Sequence, residues 1–137
     1  MSNCVFCRIV AKEIPAAMVY EDERTIAFMD AGQVNPGHVL VAAKAHLESL
    51  YELDDEQAGA LLRTAARVAR AIRAAFRPQG LSVYQANGKA AWQTVFHYHM
   101  HLLPRHDGDG MALSWPAKNP SREKLAEYAA LVRRELG

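Results

Sequence analysis

The sequence predicts an α+β domain with a mostly antiparallel sheet of about five strands, one long helix and a C-terminal helix. Short apolar stretches of strand length lie on both sides of one long stretch with helical periodicity, without regular βαβ alternation. Hydrophobic residues make up 50% of the 137 residues, which is enough for the core of one domain. We therefore predict a single domain over residues 1–137, with a core of about 4–105 and a C-terminal loop and helix over 106–137.

The first third of the chain predicts a short helix followed by three strands. The helix is predicted over residues 5–11, and a polar turn joins predicted strands over 18–21 and 25–29. Asn35-Pro36-Gly37 is a strong turn signal, and a short buried strand is predicted after it, over 38–42. This cluster of strands is the main reason for predicting an antiparallel sheet.

The middle of the chain predicts one long amphipathic helix. Asp54 is a good N-cap, and Gln57 stands three positions later as in a capping box. Helical periodicity continues from there to Phe76, with arginines mostly on the face away from the core, where we expect them to be solvated. The predicted core face carries Leu61, Leu62, Ala65, Val68, Ala69 and Ile72.

The last third predicts two further strands and a terminal helix. The strands are predicted over 81–85 and 95–103, where Pro104 closes the second strand. A long loop over 108–120 then leads to a helix over 122–136. The chain therefore contributes five predicted strands in all.

Charge and the N-terminal sequence limit the classes of partner. Sixteen basic and 15 acidic residues give a net charge of +1, so we expect no nucleic-acid partner, whereas a nucleotide needs only a few placed donors. The start does not resemble a signal peptide, and no run reaches the roughly 18 apolar residues of a membrane helix. We expect a cytoplasmic protein without membrane contact, in which Cys4 and Cys7 stay reduced and bind metal or do redox chemistry.

The most informative segment holds histidines at alternate positions, His97, His99 and His101. On a strand these three side chains share one face and lie about 7 Å apart, whereas a helix would scatter them. Such a row of imidazoles suits either transition-metal binding or nucleophilic and acid–base chemistry near pH 7. The intervening apolar residues are predicted to pack against the core on the opposite face, namely Phe96, Tyr98, Met100 and Leu102.

These residues resemble the signature of the HIT (histidine triad) family, His-φ-His-φ-His-φ-φ with φ apolar. The flanking Gln93-Thr94-Val95 and Leu103-Pro104-Arg105 are also similar to the family, as are Asp30 and Asn35-Pro36-Gly37-His38. The N-terminal segment from Cys4 resembles the bacterial zinc-containing Hint-like branch. The resemblance covers nearly the whole chain up to Arg105 and implies a HIT-like fold.

The resemblance implies a nucleotide hydrolase or nucleotidyl transferase. It would act at the α-phosphate of a purine nucleotide conjugate, a phosphoramidate or a dinucleoside polyphosphate, through a nucleotidyl-histidine intermediate on His99. His101 would contact the phosphate and deliver a proton to the leaving group. The other implied nucleotide-binding residues are Asp30 at the ribose and Asn87, Gln93 and Thr94 at the phosphate, with His38 supporting the triad.

The resemblance also implies a structural zinc ion and a homodimer whose sheets join side by side. The zinc ligands would be Cys4, Cys7, His46 and His97, a closed Cys₂His₂ set. A free reduced cysteine pair and a thioredoxin-like redox pair are the alternatives for the two cysteines.

Three alternatives to the hydrolase remain at this point. The first is a dinucleoside polyphosphate phosphorylase, and the second is a nucleotide-binding or scaffolding protein with little turnover. The third is a metalloenzyme in which the three histidines hold a catalytic zinc ion. Trp92 departs from the small residue that many family members have before the glutamine, which leaves the preferred leaving group open.

Overall fold

The structure, a computed structural model, describes residues 3–112 and 114–136, which contain one antiparallel sheet and three α-helices. These elements are α1 (Val5–Val10), β1 (Met18–Glu21), β2 (Thr25–Met29), β3 (Val39–Ala43), α2 (Asp55–Phe76), β4 (Gly80–Tyr84), β5 (His99–Arg105) and α3 (Arg122–Glu135). The strand order is β1-β2-β3-β5-β4, and every neighbouring pair is antiparallel. The predicted α+β class with five strands is therefore confirmed.

The two faces of the sheet are covered by different helices. Alternate residues of a strand point to opposite faces, so β3 divides its side chains between two apolar clusters. Val39, Val41 and Ala43 join the cluster with α2, whereas Leu40 and Ala42 join the cluster with α1. The same alternation in β5 places Met100 and Leu102 in the cluster with α2. The histidines between them therefore point to the α1 side.

The long helix α2 begins and ends where its local sequence predicts. Asp54 accepts a hydrogen bond from the Gln57 backbone N–H at 2.8 Å, and the Gln57 side chain accepts one from the Asp54 N–H at 3.0 Å. This reciprocal pair satisfies two N–H groups that the first turn cannot bond internally. One predicted core residue is wrong, because Leu62 is 65% exposed on the helix surface.

The short helix α1 has a structure that depends on its surroundings. Six residues cannot hold a helix in water without tertiary contacts. Phe6 and Ile9 supply those contacts, because both are buried against the sheet. At the N-terminus the Cys4 sulfur accepts from the Cys7 N–H at 3.4 Å. The two cysteines therefore lie at the start of α1 and within it.

The histidine-bearing strand differs from its prediction at both ends. It begins at His99 rather than at Val95, because the backbone before it is drawn toward the segment after β3: the Tyr98 N–H donates to the Leu47 carbonyl at 2.6 Å. It also continues through Pro104 to Arg105. Pro104 pairs with β4 on one side, but it lies beyond the part of β5 that pairs with β3. Proline is tolerated at such an edge position because no neighbouring strand needs its missing N–H group.

Two features of the remaining surface differ from a fully packed domain. Phe96, predicted to lie in the core, is 44% exposed because it precedes the strand. The C-terminal helix α3 has no buried residue among its described positions.

Within the ranges that the structure describes, no helix combines the length and the apolar character needed to cross a membrane.

Candidate active site and metal centre

A cavity of about 640 Å³ lies on the α1 side of the sheet and has the size of a small-molecule site. Four of the predicted site residues line it: Asp30, Thr94, His99 and His101. The rest of the wall is mostly apolar. Its apolar lining includes Val5, Phe6, Ile9, Phe28, Met29, Leu40 and Val95.

The central histidine, His99, is held with one defined ring nitrogen free. Its Nδ1 lies 2.6 Å from the His97 carbonyl oxygen, and because a carbonyl only accepts, Nδ1 carries the proton and donates. Burial lowers the pKa of His99, so the ring is neutral at pH 7. A neutral imidazole protonated at Nδ1 has its lone pair at Nε2. His99 therefore offers a nucleophilic nitrogen without prior deprotonation.

The third histidine, His101, presents a donor instead. The His38 Nδ1 accepts from the Val34 N–H at 3.3 Å, which leaves the proton of a neutral His38 on Nε2. That Nε2 lies 2.9 Å from the His101 Nδ1 and donates to it. Burial lowers the pKa of His101 to about 4, so His101 is neutral at pH 7 and carries its proton on Nε2.

Asp30 lies beside this histidine pair immediately after β2. Its Oδ2 is 3.4 Å from the His38 Nε2 and 3.7 Å from the His101 Nδ1. Its Oδ1 accepts from the Gly32 N–H at 2.8 Å. A carboxylate fixed in this way at a cavity wall is a rigid acceptor for ligand hydroxyl groups.

A second cluster, at the N-terminal end of α1, brings together the four predicted zinc ligands. The ligand atoms of Cys4, Cys7, His46 and His97 all lie within 4.8 Å of one another. The Cys7 sulfur is 3.1 Å from the His46 Nδ1 and 3.5 Å from the His97 Nδ1, and the Cys4 sulfur is 3.4 Å from the His97 Nδ1. In a tetrahedral zinc site with cysteine and histidine ligands, neighbouring ligand atoms stand about 3.5 Å apart. The four residues therefore fit the ion.

The orientation of His97 supports the same fit. Its Nε2 lies 2.6 Å from the Ala43 carbonyl and must donate to it, which leaves the Nδ1 lone pair facing both sulfurs. Burial raises the pKa of the Cys7 thiol to about 11. The redox alternative leaves the two imidazole nitrogens within 3.5 Å of the Cys7 sulfur without a role.

The geometry separates the three histidines of the signature into different groups. His97 faces the cysteines, whereas His99 and His101 line the cavity with ring centroids 5.2 Å apart. Over residues 3–112 and 114–136, the clusters close enough to share a metal ion are the Cys/His cluster and the group of Asp30, His38 and His101. The signature histidines do not form such a cluster together, which disfavours the alternative of a catalytic zinc ion held by all three.

Two predicted phosphate contacts have side chains that already bond within the protein. The Gln93 amide donates to the Glu48 and Val95 carbonyls and accepts from the Gly88 N–H. The Asn87 side chain accepts from the Leu50 N–H and exchanges hydrogen bonds with Gln85. Both residues hold the loop that leads to Thr94. Their roles as direct nucleotide contacts stay predictions.

Sequence reasoning missed Phe6 as part of the site. Its ring packs edge-on against His99 at 4.9 Å between centroids, and it also contacts His97 at 5.9 Å. The available signal was the apolar pair Phe6 and Ile9 on one face of the predicted helix that follows Cys4 and contains Cys7. Trp92 is 82% exposed at φ 70° and does not line the cavity described above.

The family model and the curated relatives both identify the same family. The family model for the HIT domain matches residues 11–108. Protein hit of Bacillus subtilis is 50% identical over 137 residues, covering 98% of this chain and 94% of the relative. The adenosine 5'-monophosphoramidase of Schizosaccharomyces pombe is 34% identical over 124 residues, covering 90% of each chain.

Solved structures agree with the sequence relatives. A HIT family protein from Bacillus subtilis superimposes with a TM-score of 0.93 at 43% identity, covering 98% of both chains. A Zn-bound histidine triad family protein from Mycobacterium smegmatis has a TM-score of 0.76 at 35% identity, covering 98% of this chain and 99% of that one. The predicted HIT-like fold is confirmed, and the chain belongs to the HIT domain family.

Proposed function

We propose that this protein hydrolyses purine nucleotide conjugates at the α-phosphate, with His99 as the nucleophile. The observation that carries the proposal is the pair of ring nitrogens at the cavity: a lone pair at the His99 Nε2 and an N–H at the His101 Nε2. Hydrolase activity is also supported by the relative from Schizosaccharomyces pombe, which is named an adenosine 5'-monophosphoramidase. We take adenosine 5'-phosphoramidate as the model substrate.

The first step transfers the nucleotidyl group to the protein. The amine nitrogen of the substrate takes a proton from solvent, the His99 Nε2 attacks the α-phosphorus, and the bond from phosphorus to that nitrogen breaks, so that neutral ammonia leaves with the electron pair of the bond. The His99 Nδ1–H remains bonded to the His97 carbonyl, so the positive charge of the nucleotidyl-imidazolium is partly compensated. The His101 Nε2–H donates to a phosphate oxygen as charge concentrates there.

The second step releases AMP. Water attacks the phosphorus, the bond to the His99 Nε2 breaks, and the electron pair returns to the ring. The proton lost by water passes to the released ammonia or to solvent, so the sum is phosphoramidate plus water giving AMP plus ammonia. Because the free imidazole is restored in its original tautomer, the enzyme is ready for another turnover.

The nucleoside part would bind in the same cavity, beside the two histidines. Asp30 accepts from the ribose hydroxyls, and the apolar wall that includes Phe28 and Leu40 contacts the purine. Thr94, which lines the cavity, donates to phosphate oxygens, and Gln93 and Asn87 are proposed as further phosphate contacts. His38 supports His101 through their 2.9 Å hydrogen bond.

We propose zinc as the metal of the Cys/His cluster and assign it a structural role. The donor set of two sulfurs and two imidazoles is closed, which leaves no position for substrate. A related protein from Mycobacterium smegmatis is described as Zn-bound. Reduced cysteines suit a cytoplasmic location, which stays a prediction.

We also propose a homodimer in which a second copy covers the β4 edge of the sheet. Val83 is 57% exposed on this edge strand, and α3 exposes Leu131 and Val132 at 51% and 64%. An open apolar edge is usually paired or protected in native proteins. The domain boundaries given above are part of the same proposal and refer to one protomer.

Val83→Lys is expected to weaken the dimer, because it places an unpaired charge in the contact. Light scattering of the wild type should give about twice the 15.2 kDa of one chain, and the variant should raise the dissociation constant at least ~10-fold. Val19→Lys is the matched control, since Val19 is 42% exposed on the opposite edge strand β1. A monomeric wild type at micromolar concentration would contradict the proposal.

The proposed activity predicts that wild-type protein releases AMP from adenosine 5'-phosphoramidate. The expected product analysis shows one AMP and one ammonia per substrate consumed, without a requirement for inorganic phosphate. Products that appear only with added phosphate would favour the phosphorylase alternative. Tight AMP binding without turnover would favour a binding or scaffolding protein, and absence of both would remove the proposal.

Asp30→Asn tests how the nucleotide is recognised. Hydrogen bonds to a charged acceptor contribute about 1.5–3 kcal/mol each, so the wild type should prefer the ribose substrate over its 2'-deoxy analogue by ~10-fold or more in kcat/KM. The variant should lose most of this preference. The ratio is informative because Asp30 also lies near His38 and His101, so the absolute rate of the variant falls for both substrates. An unchanged ratio would separate Asp30 from the ribose.

A further inference from the structure

The helix α1 contributes residues to both the Cys/His cluster and the cavity, and one of its side chains contacts a histidine of each. We infer that Phe6 is a positioning residue that couples metal binding at the cluster to nucleotide binding in the cavity. The inference rests on the proposed function, because it assumes that the cavity takes a nucleotide. It assigns to the metal an influence on ligand affinity in addition to its structural role.

The contacts of Phe6 join the two sites directly. Its side chain is 7% exposed and lines the cavity, and its ring packs edge-on against His99 at 4.9 Å. The same ring also packs edge-on against His97, with 5.9 Å between the ring centroids, and His97 belongs to the Cys/His cluster. A third edge-on contact, with 5.3 Å between centroids, joins Phe6 to Phe28, which also lines the cavity.

The position of Phe6 in the sequence makes it sensitive to the metal. Cys4 is the N-cap of α1 and Cys7 lies in its first turn, so both cluster sulfurs flank Phe6 within one turn. A six-residue helix has little stability of its own. Joining both sulfurs to His46 and His97 through one metal ion would fix α1 against the sheet. Without that link the helix is held mainly by Phe6 and Ile9.

Other walls of the cavity lie on strands whose pairing does not depend on the Cys/His cluster. Phe28 and Leu40 lie on the paired central strands β2 and β3, whose ladder does not involve the cysteines. Loss of the metal can therefore reach the cavity through α1, in addition to the His97 carbonyl that bonds to His99. Loosening of α1 would move Phe6 away from His99 and open the apolar wall, so the nucleotide would lose contacts and the nucleophile would lose its support.

The coupling is measured as a ratio of affinities. AMP affinity is determined by calorimetry for zinc-loaded and metal-depleted wild type, and zinc affinity is determined by chelator competition with and without saturating AMP. Thermodynamic linkage requires both ratios to be equal, and we expect about tenfold, within the usual range of such couplings. The chelator measurement begins from loaded protein, so it applies even where the metal-free form is unstable.

Phe6→Leu is the test variant, and Val68→Ala is its matched control. Leucine keeps an apolar side chain on α1 but removes the ring that contacts His97 and His99. Val68 is 5% exposed in the apolar core between α2 and the sheet, on the face opposite α1. Its truncation therefore lowers stability without touching α1. We expect Phe6→Leu to retain one zinc per chain while its coupling ratio falls to near one, and Val68→Ala to keep the wild-type ratio.

Each outcome decides the inference. A wild-type ratio near one, or a tenfold ratio preserved in Phe6→Leu, overturns the role of Phe6. The same loss of coupling in Val68→Ala also overturns it, because the effect would then follow general stability. Wild type that turns over the phosphoramidate but shows no coupling leaves the proposed function standing, whereas wild type that neither binds AMP nor turns over the substrate removes both.

Discussion

His99→Ala is expected to lower the turnover of adenosine 5'-phosphoramidate at least ~10³-fold, the scale on which removal of a covalent nucleophile acts. The loss follows from the geometry of the ring, because the His97 carbonyl holds the Nδ1 proton and leaves the Nε2 lone pair as the only nucleophile of this side chain. The affinity for AMP should change much less than the rate. Single-turnover kinetics with parallel calorimetry measure the two effects separately.

A second histidine variant controls for this prediction. His106 lies after β5 and outside the residues that line the cavity, so His106→Ala should keep the wild-type rate. Rapid quenching of wild type with labelled substrate should also trap label on the protein, and His99→Ala should trap none. Equal rates for wild type and His99→Ala would end the proposed mechanism, even if the protein still bound AMP.

The parts of the fold that depend on local sequence were predictable. The capping box of Asp54 and Gln57 marks the start of α2 because both of its hydrogen bonds join residues three positions apart. The alternation in β5 placed Met100 and Leu102 in the core, since strand geometry alone sets that pattern. Features of this kind need no knowledge of the rest of the chain.

The parts that depend on distant contacts were not predictable. The start of β5 is displaced because Tyr98 bonds to Leu47, a partner whose position no local pattern reveals. The same displacement leaves Phe96 exposed, although its alternation with the histidines predicts burial. Tyr98, one residue before the strand, is still buried as the alternation predicts, so the pattern fails only farther from the paired strand.

The candidate site shows the same division between local and distant information. The row of histidines and the Cys4/Cys7 pair were visible as patterns, and the resemblance to a family supplied the pairing of the cysteines with His46. The tautomers were not visible, because they depend on backbone groups such as the Ala43 carbonyl and the Val34 N–H. Those groups decide which ring offers a lone pair and which offers a proton.

The metal centre is expected to have the largest effect on stability. Purified protein should contain one zinc ion per chain, and Cys4→Ser should lose it, because a serine hydroxyl is a poor replacement for a thiolate. A ligand that binds only the folded state at 1,000 times its dissociation constant contributes about 4 kcal/mol. For a chain of this length, that loss corresponds to a melting temperature roughly 15 °C lower.

The location of the cluster explains why one ligand should matter so much. The four residues come from α1, the segment after β3 and the segment before β5, so the metal would join parts of the chain that are 39 to 93 positions apart. Cross-links between distant positions restrict the unfolded chain more than local ones do. The expected first consequence of metal loss is release of α1, followed by loss of the cavity wall that it forms.

Arg8→Ala provides the matched control on the same helix. Arg8 follows Cys7 directly, but its side chain is exposed and makes only a surface ion pair with Glu13, so it contributes little to stability. Elemental analysis and thermal unfolding with and without chelator should show that Arg8→Ala behaves as wild type, whereas Cys4→Ser no longer responds to chelator. Zinc at full stoichiometry in Cys4→Ser would contradict the assignment, because a closed tetrahedral site that loses a sulfur ligand must lose metal affinity. Wild type that melts at the same temperature with and without chelator would contradict it as well.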